Sequence, residues 1–383
     1  MSKNNASNDS NIDGIVDRVL NILNNEGQQE KSAFDESNSL LIGIDSNLLQ
    51  KRAEEYKDTE KQWVRRNAWL KTAQSILKKK GGKPIRYLTL PALHRLDVSL
   101  FLKEGLLEIT KKNEGEAEEI YVAAFENDPT IFALMQQHKP SFKLFGCGSI
   151  EEVLTDENNK YYRELRDLFP FDVINLDLTT SLTPKHEGPY SKTMEAIETI
   201  FDIQQGYGIH WALFLTFRNV PDELDNGARK QLFKNLQDNI DTNPEVLEAF
   251  QKRYQKNSVM ELEKSDAKKC ISQSIVKWLV DRAHQHKFKA GSIETYFYPR
   301  RNTGLPPYEI YKHLVELTPA GINPAHIPMK NIPEQSWMKR DLTKCVEKHK
   351  CTDVEEKIIR LLENAPTKIQ ELEDEVELLC KMI

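Results

Sequence analysis

The chain has 383 residues, of which 29% are charged and 39% hydrophobic, and its formal net charge is -6. This is an ordinary globular balance, at a length that allows one large domain with appendages or two domains. No apolar run approaches the roughly 18 residues of a membrane span, and the Asn- and Ser-rich start lacks the apolar core of a secretory signal. Five scattered cysteines fit free thiols in a reducing compartment, so we expect a cytoplasmic protein with no membrane partner.

Charge is unevenly distributed over the first 86 residues. Residues 1–50 carry eight acids against three bases, whereas residues 51–86 carry twelve bases against four acids. A basic segment of this kind is typical of contact with nucleic-acid phosphate or an acidic partner. A solvated, lysine-rich helix face explains the same composition.

The N-terminal part of the chain predicts two helical pieces. Residues 1–47 are expected to be a mostly disordered tail with one short helix, which would either dock on a protein partner or fold back onto its own domain. The apolar side chains of that helix recur at helical spacing: Ile12, Ile15, Val16, Val19, Leu20 and Leu23. Residues 48–82 predict a basic amphipathic helix that stops at Gly81-Gly82.

From residue 83 to 320 the apolar pattern alternates between strands and helices. Near-continuous apolar strands between amphipathic helices indicate a mostly parallel sheet covered on both faces, that is, a doubly wound α/β fold. The strand candidates are residues 85–90, 121–125, 142–145, 171–178 and 211–217. Two later runs, 293–298 and 308–317, are joined by a link too short for a crossover helix, so they predict a closing antiparallel hairpin.

Residues 321–383 predict a helical C-terminal tail. Ile369, Leu372, Val376 and Leu379 step by three and four residues, which gives a seam of two heptads. Packing of this seam against the core is the default expectation, and contact with a protein partner is the alternative. With the N-terminal helix, this tail would extend the α/β domain at both ends.

Five parallel strands with intervening helices and a closing antiparallel hairpin resemble the class I S-adenosylmethionine-dependent methyltransferases. The resemblance covers roughly residues 83–318, and it implies a methyltransferase-like Rossmann domain with S-adenosylmethionine as the cofactor. In that family an acid at the end of the second strand binds the cofactor ribose, and Glu126 matches this position. The loop after the third strand borders the adenine ring, which implies cofactor contacts from Gly146, Gly148 and Ser149.

The fourth strand of such enzymes ends in an acid or Asn that faces the substrate and the methyl group. The resemblance therefore implies catalytic roles for Asp177 and, as the second choice, Asn175. The Pro-Pro-aromatic sequence of the family members that methylate exocyclic amines does not follow Asp177, so methylation of adenine or cytosine amines is disfavoured. Because ligands of open α/β sheets bind beyond the carboxyl ends of the strands, we expect substrate contacts from Lys185, His186 and Tyr190 in the following loop.

The first strand departs from the family pattern. There the family has an acid followed by Gly-x-Gly, a turn that lets the methionine part of the cofactor approach the backbone. This chain has Pro91-Ala92-Leu93-His94-Arg95 and reaches its next glycine only at Gly105. A side chain on every residue of the turn, and the missing N–H of Pro91, require a different mode of binding or mean that the site is lost.

Metal and nucleotide motifs give little further direction. Cys345, His349 and Cys351 lack the second ligand pair of a structural zinc site, so no metal is expected. Tyr298-Pro299-Arg300-Arg301 combines aromatic and guanidinium groups, as stacking surfaces for single-stranded nucleic acid do, but a polar hairpin turn explains it equally well.

Two functions follow from the sequence. The first is a divergent S-adenosylmethionine-dependent methyltransferase that acts on a macromolecular substrate, with nucleic acid a candidate because of residues 51–86. The second is a catalytically inactive methyltransferase-like protein that serves as a binding or scaffold subunit of a protein or nucleic-acid complex. The alternating core with Glu126 and Asp177 favours the first, and the charged or helical extensions favour the second.

Overall fold

The computed structural model describes residues 59–110, 118–137, 140–178, 180–185, 187–188, 190–300, 308–320, 342–343, 345–347 and 349–381. The helix expected near residues 12–23 lies outside these residues, as does the first part of the predicted basic helix. The described chain forms an α/β fold around one open, mixed sheet of nine strands, which is compatible with a Rossmann-like arrangement. None of its helices is long and apolar enough to cross a bilayer.

The strands follow one another in chain order, interrupted by helices. They are β1 (Tyr87–Thr89), β2 (Ile109–Thr110), β3 (Glu119–Glu126), β4 (Ser141–Cys147), β5 (Val173–Asp177), β6 (Trp211–Asn219), β7 (Phe288–Arg300), β8 (Tyr308–Pro319) and β9 (Lys350–Asp353). In space the order is β3-β1-β5-β6-β8-β7-β9, and β4 and the short β2 also pair with β3. Since Ala123 of β3 pairs with both Leu88 and Leu144, β1 and β4 lie on opposite edges of β3.

Strand direction divides the sheet into two parts. The pairs β4-β3, β3-β1, β1-β5 and β5-β6 are parallel. Strand β8 is antiparallel to both of its neighbours, β6 and β7, and it carries the closing hairpin expected from the sequence. The parallel part places the carboxyl ends of β1, β3, β4 and β5 along one edge, and a change of strand order on either side of β1 opens a crevice there.

Helices cover both faces of this sheet. They are α1 (Thr59–Val64), a π-helical turn (Arg65–Leu70), α2 (Lys71–Lys79), α3 (Leu96–Lys103), α4 (Pro129–Met135), α5 (Ile150–Thr155), α6 (Tyr162–Asp167), α7 (Lys192–Gln205), α8 (Asn226–Thr242), α9 (Pro244–Tyr254), α10 (Val259–Ser265), α11 (Ala267–Gln285), α12 (Val354–Asn364) and α13 (Pro366–Lys381). Alternate residues of a strand enter opposite cores: Leu88 and Ile174 join one apolar cluster, and Tyr87 and Val173 join the other. Burial on both sides is the reason why these strands read as continuous apolar runs.

The predicted basic helix is observed as α1, the π-helical turn and α2 in unbroken succession from residue 59 to 79. Its inner side is part of the core: Val64 and Ala73 are fully buried, and the Trp69 ring stacks on Phe214 of β6 at 5.7 Å. After Lys79 the backbone turns through Gly81 and Gly82, whose φ angles of +70° and +82° suit glycine. The segment is thus an integral layer of the domain.

The C-terminal region differs from the purely helical tail expected from the sequence. Strand β9 precedes α12 and pairs in parallel with β7, from Glu294 with Lys350 to Phe297 with Asp353. A four-residue strand with two charged residues carries no strong apolar signal, which is why the pattern did not reveal it. The heptad side chains Ile369, Val376 and Leu379 of α13 are buried within the chain's own second apolar cluster.

Candidate functional site

A cleft of about 550 Å³ opens at the carboxyl ends of β1, β3, β4 and β5. It lies in the crevice that the strand order creates. Its walls come from the turn after β1, the end of β3, the loop from β4 into α5, the end of β5 and the start of α7. The lining residues include Leu90, Pro91, Ala92, Phe125, Glu126, Asn127, Gly148, Ser149, Glu151, Glu152, Asp177, Leu178, Glu187, Lys192 and Thr193.

Glu126 stands at the rim where β3 ends. Its Oε1 accepts a hydrogen bond from the backbone N–H of Asp128 at 2.8 Å, which fixes the carboxylate beside the cleft. Asp128 itself is the N-cap of α4, accepting from the N–H groups of Thr130 and Ile131, with Pro129 at the first helical position. Asp128 therefore caps the helix, and Glu126 faces the cleft.

The loop after β4 brings the backbone close to the cleft at Gly148. Its φ of +138° is a conformation that side-chain-bearing residues rarely adopt, and its N–H donates to the carbonyl of Glu126 at 2.9 Å. Ser149 caps α5 and donates its hydroxyl to Glu151 at 2.6 Å. Both residues line the cleft as the resemblance implied.

Gly146 does not line the cleft among the described residues, and its role is packing. A Cβ at this position would lie 2.4 Å from the ring of Phe125, so the missing side chain makes room for that ring. Phe125 in turn forms a wall of the cleft and meets Tyr161 edge to face at 5.9 Å. Gly146 thus affects the shape of the cleft indirectly, because it leaves room for the Phe125 ring.

The turn after β1 forms the cleft floor without glycine. The backbone closes there by a hydrogen bond from the N–H of Arg95 to the carbonyl of Ala92 at 2.8 Å, and Arg95 has a left-handed φ of 44°. The Arg95 side chain leaves the cleft: its guanidinium stacks on the Phe142 ring at 3.6 Å, and burial lowers its pKa to about 10. The cleft surface of the turn consists of Leu90, Pro91 and the small side chain of Ala92.

Asn175 lies deeper in the sheet, outside the cleft lining. It is 1% exposed, and its Nδ2 donates to the hydroxyl of Tyr87 at 3.1 Å. That hydroxyl donates to Asp97 of α3 at 2.6 Å, and Thr89 donates to the same carboxylate oxygen at 2.8 Å. The network ties α3 to β1 and β5, so Asn175 holds the scaffold and does not face a substrate.

Asp177, at the end of β5, is held between two ammonium groups. Lys61 of α1 lies 2.6 Å from Oδ2, and Lys312 of β8 lies 3.1 Å from Oδ1. These lysines hold the pKa of Asp177 well below its usual range, so the carboxylate is ionised. Burial lowers the pKa of Lys312 to about 7, although Asp177 opposes that shift. Lys312 also lies 4.6 Å from the centre of the Trp69 ring, which favours its charged form.

The loop before α7 contributes different residues from those expected. Lys185 is exposed and does not line the cleft, and the Tyr190 hydroxyl hydrogen-bonds Glu198 of α7. His186 lies outside the described residues. Glu187 and Lys192 of the same region line the cleft instead. Glu187 directly follows the expected His186 and Lys192 comes two residues after Tyr190, but no motif marked either of them in the sequence.

The electrostatic character of the cleft is acidic. Five of the described lining side chains are carboxylic acids, against one lysine: Glu126, Glu151, Glu152, Asp177, Glu187 and Lys192. Lys192 lies 3.7 Å from Glu152, and Asp177 is compensated by Lys61 and Lys312 behind the wall. The open part of the cleft is therefore suited to a cationic or hydroxyl-rich ligand and repels phosphate.

Two further motifs of the sequence lie at least partly within the described residues. Tyr298 is 2% exposed, so its ring is not available for stacking on a base. Cys351 contacts the His349 ring, with its Sγ 3.7 Å from Nε2, while the Cys345 thiol donates to the carbonyl of Leu342 at 2.9 Å. Within the described residues no three His, Cys, Asp or Glu side chains are placed to hold a metal ion.

Comparison with known proteins adds one partial match. A protein-family model described as PP_RS20740-like matches residues 148–307. This stretch begins at Gly148 in the cleft and includes Ser149 and Asp177, but not Glu126 or β1. It is less than half of the chain. No curated protein matches the sequence.

Proposed function

We propose that the cleft binds S-adenosylmethionine and that the protein is a divergent class I methyltransferase acting on a macromolecular substrate. The observation that carries this proposal is the convergence of Glu126, Gly148, Ser149 and Asp177 on one cleft at the carboxyl ends of the strands. These residues follow or end three separate strands, and the resemblance implies the same residues as a cofactor and catalytic set.

The strand order supports the same proposal. An antiparallel β8 inserted between β6 and β7, next to a parallel β4-β3-β1-β5-β6 half, is the layout expected of a methyltransferase-like domain. A dehydrogenase with a dinucleotide site continues the parallel sheet instead. Strand β9 is an addition at the edge and leaves this order unchanged.

The cleft suits the proposed cofactor in size and charge. Its volume of about 550 Å³ falls in the range of small-molecule sites. A carboxylate at Glu126 can accept hydrogen bonds from vicinal ribose hydroxyls, and the acidic lining attracts a sulfonium. The absent Gly-x-Gly turn is compensated in part by Ala92, whose small side chain leaves space above the floor. A dinucleotide would place its phosphates against Glu151, Glu152 and Glu187, which is unfavourable.

When bound, S-adenosylmethionine supplies an electrophilic methyl group that a nucleophile takes by in-line displacement. The contribution of the protein to such a step is mainly position and orientation. Asp177 stands at the boundary between this cleft and a small enclosed space lined by Lys61, Trp69 and His94.

A second candidate function is supported by the same carboxylate. Both oxygens of Asp177 are engaged by lysines, so the carboxylate is not free to accept a proton from an acceptor group. This favours a methyltransferase-like subunit that binds the adenosyl ligand and transfers nothing. Arg66, Lys79 and Lys80 of the basic segment pair with Glu104, Glu316 and Asp172 of the same chain, so these cations give no support to nucleic acid as the substrate or the partner.

Calorimetry with purified protein tests the binding of S-adenosylmethionine, which both candidate functions require. We expect S-adenosylmethionine to bind and raise the melting temperature by mass action. Glu126→Ala is expected to weaken binding by about tenfold or more, since it removes an ionised hydrogen-bond acceptor. Glu164→Ala, an exposed acid on α6, is the matched control and should bind like the wild type. No binding at millimolar ligand would refute the proposal.

Product formation separates the two candidates. The wild-type protein, incubated with S-adenosylmethionine and a cell extract, should release S-adenosylhomocysteine above the extract alone if it is an enzyme. Asp177→Asn should abolish this release while the protein still binds the cofactor. Binding without any release in the wild-type protein would support the non-catalytic subunit.

A further inference from the structure

A second cavity lies between α9, α10, α11 and the strands β7, β8 and β9. Its volume is about 410 Å³. It shares no lining residue with the cleft that we propose for S-adenosylmethionine (the cofactor cleft). Helix α9 contributes Arg253 and Tyr254, and α11 contributes Ser272. The strands β7, β8 and β9 contribute Phe297, Tyr311 and Cys351, respectively.

The strand side of this cavity is aromatic. Phe297 and Tyr311 stand opposite each other in the β7-β8 pairing, and their rings stack at 5.4 Å with an angle of 16°. Tyr254 adds a third ring, oriented by a 2.7 Å hydrogen bond from its hydroxyl to Gln273. Flat walls of this kind favour a planar ligand.

One cation is fixed at the wall. The Arg253 guanidinium donates from Nη1 to the carbonyl of Val346 at 2.9 Å and from Nη2 to the Cys351 sulfur at 3.3 Å. A guanidinium has five N–H donors, more than these two contacts use, so it can also bind a carboxylate. The other charged lining residues, Lys269 and Asp266, form an ion pair at 2.9 Å and compensate each other.

A buried hydroxyl on α11 lacks a partner. Ser272 is 2% exposed, and its Oγ has no hydrogen-bond partner although the residue lines the cavity. Buried hydroxyls are almost always paired, because an unmade hydrogen bond costs about 1–3 kcal/mol. A polar substituent of a bound ligand would pair it.

We propose that this cavity is a binding site for a small aromatic carboxylate that carries a ring hydroxyl. The aromatic walls would enclose the ring, Arg253 would pair with the carboxylate, and the Ser272 hydroxyl would pair with the ring substituent. The lining has one uncompensated positive charge, which matches a monoanion better than a phosphate dianion. The cofactor cleft is acidic, so the same ligand would be repelled there.

Cys351 provides a reporter at the site. The residue is exposed, and its sulfur contacts Arg253, so an occupant on Arg253 would shield it from alkylation. Cys147, which lines neither this cavity nor the cofactor cleft, is only partly buried and serves as an internal control in the same sample.

The test uses 4-hydroxybenzoate as the probe and benzoate as its analogue without the hydroxyl. We expect 4-hydroxybenzoate to bind by calorimetry and to slow iodoacetamide labelling of Cys351, measured by peptide mass spectrometry, without slowing that of Cys147. Arg253→Gln should weaken binding by about tenfold or more through loss of the charge-assisted pair. Arg360→Gln, an exposed arginine on α12, is the matched control and should leave affinity unchanged.

If Arg253→Gln does not fold, Ser272→Ala still tests the proposal, because this substitution removes only an unpaired hydroxyl. The wild type should prefer 4-hydroxybenzoate over benzoate, and Ser272→Ala should lose that preference. Absence of binding by 4-hydroxybenzoate at millimolar concentration overturns the proposal. Equal protection of Cys351 and Cys147 would also overturn it, since it would indicate binding elsewhere.

Discussion

Asp177 keeps its charge inside the protein because two ammonium groups share it. The carboxylate is compensated by Lys61 on one oxygen and by Lys312 on the other, and Lys312 gains further stabilisation from the Trp69 ring. Removing one member of such a buried group typically costs about 3–5 kcal/mol, because the remaining charges lose their compensation. The same three residues fasten α1 and β8 to the end of β5, so the candidate site and the scaffold depend on one another.

Gly146 gives a sharp test of packing behind the cleft. Gly146→Ala would place a Cβ against the Phe125 ring, so we expect the free energy of unfolding to fall by about 1–3 kcal/mol. Displacement of Phe125 should also weaken ligand binding in the cleft. Urea unfolding measures the first effect.

Gly206→Ala is the matched control for this substitution. Gly206 ends α7 with a helical φ of -64°, and its added Cβ would meet nothing closer than 3.5 Å. We expect unchanged or slightly higher stability there, by up to about 1 kcal/mol. Equal losses at both glycines would contradict the role assigned to Phe125.

At the residue scale, sequence reasoning located the side chains that end strands. Glu126, Gly148, Ser149 and Asp177 could be placed because apolar runs show where a strand stops, and parallel strands present those ends at one edge. The lysines on Asp177 could not be placed. Lys312 is separated from Asp177 by 135 residues, and no local pattern connects them.

Asn175 shows the other limit of reasoning from sequence at this scale. It stands two residues before Asp177 on the same face of β5, but one step deeper, where α3 covers the strand. Its contact with the Asp97 carboxylate, at 3.4 Å, depends on how α3 packs. The strand pattern alone gives the face of the sheet but not what covers it.

Among the elements, α13 is attached to α1 through Glu375. This carboxylate is 7% exposed and accepts from Gln62 at 3.0 Å, from Arg66 at 2.8 Å and from Lys103 at 2.9 Å. Its partners hold the pKa of Glu375 below the usual range, against the effect of burial. The Glu375 side chain thus joins α1, the π-helical turn and α3 to α13.

Glu375→Gln is expected to lower the free energy of unfolding by about 1–2 kcal/mol, because the partly exposed Arg66 and Lys103 lose their counter-charge. Glu373→Gln, an exposed neighbour on the same helix, is the control and should change stability little. Faster amide hydrogen exchange in both α1 and α13 of the Glu375 variant would confirm the coupling. Faster exchange in α13 alone would contradict it.

The elements that the sequence predicted are those in which a regular apolar pattern extends over many residues. Strands β3, β5 and β6 were expected within a few residues of their observed bounds, and the helix predicted over residues 48–82 ends close to the observed end of α2 at Lys79. The two-residue β2 and the polar β9 were missed because pairing with a neighbour, not their composition, makes them strands. The π-helical turn was missed as well, because six residues are too few to distinguish its period from that of an α-helix.

For the whole molecule, several basic residues in the described part of the segment 51–86 are compensated within the chain. Arg66 pairs with Glu104 and Glu375, Lys79 with Glu316, and Lys80 with Asp172. These contacts join distant segments and leave few of the described cations of this segment to meet a phosphate backbone.

We therefore expect weak binding to a 20-nucleotide RNA or DNA at physiological salt, without sequence preference. Fluorescence anisotropy across a salt series measures this. A submicromolar affinity with a steep dependence on salt, which several phosphate contacts would produce, would contradict the expectation and restore nucleic acid as a substrate.

The contact between Gln62 of α1 and Glu375 of α13 also has a consequence for the synthesis of the protein. Gln62 leaves the ribosome long before its partner Glu375, which follows 313 residues later in the chain. During that interval Trp63 and Arg66, which line the groove under α13, have no cover from that helix. Helix α1 can thus reach its final environment only after α13 has been synthesised, so the nascent chain exposes this side of α1 to chaperones until then.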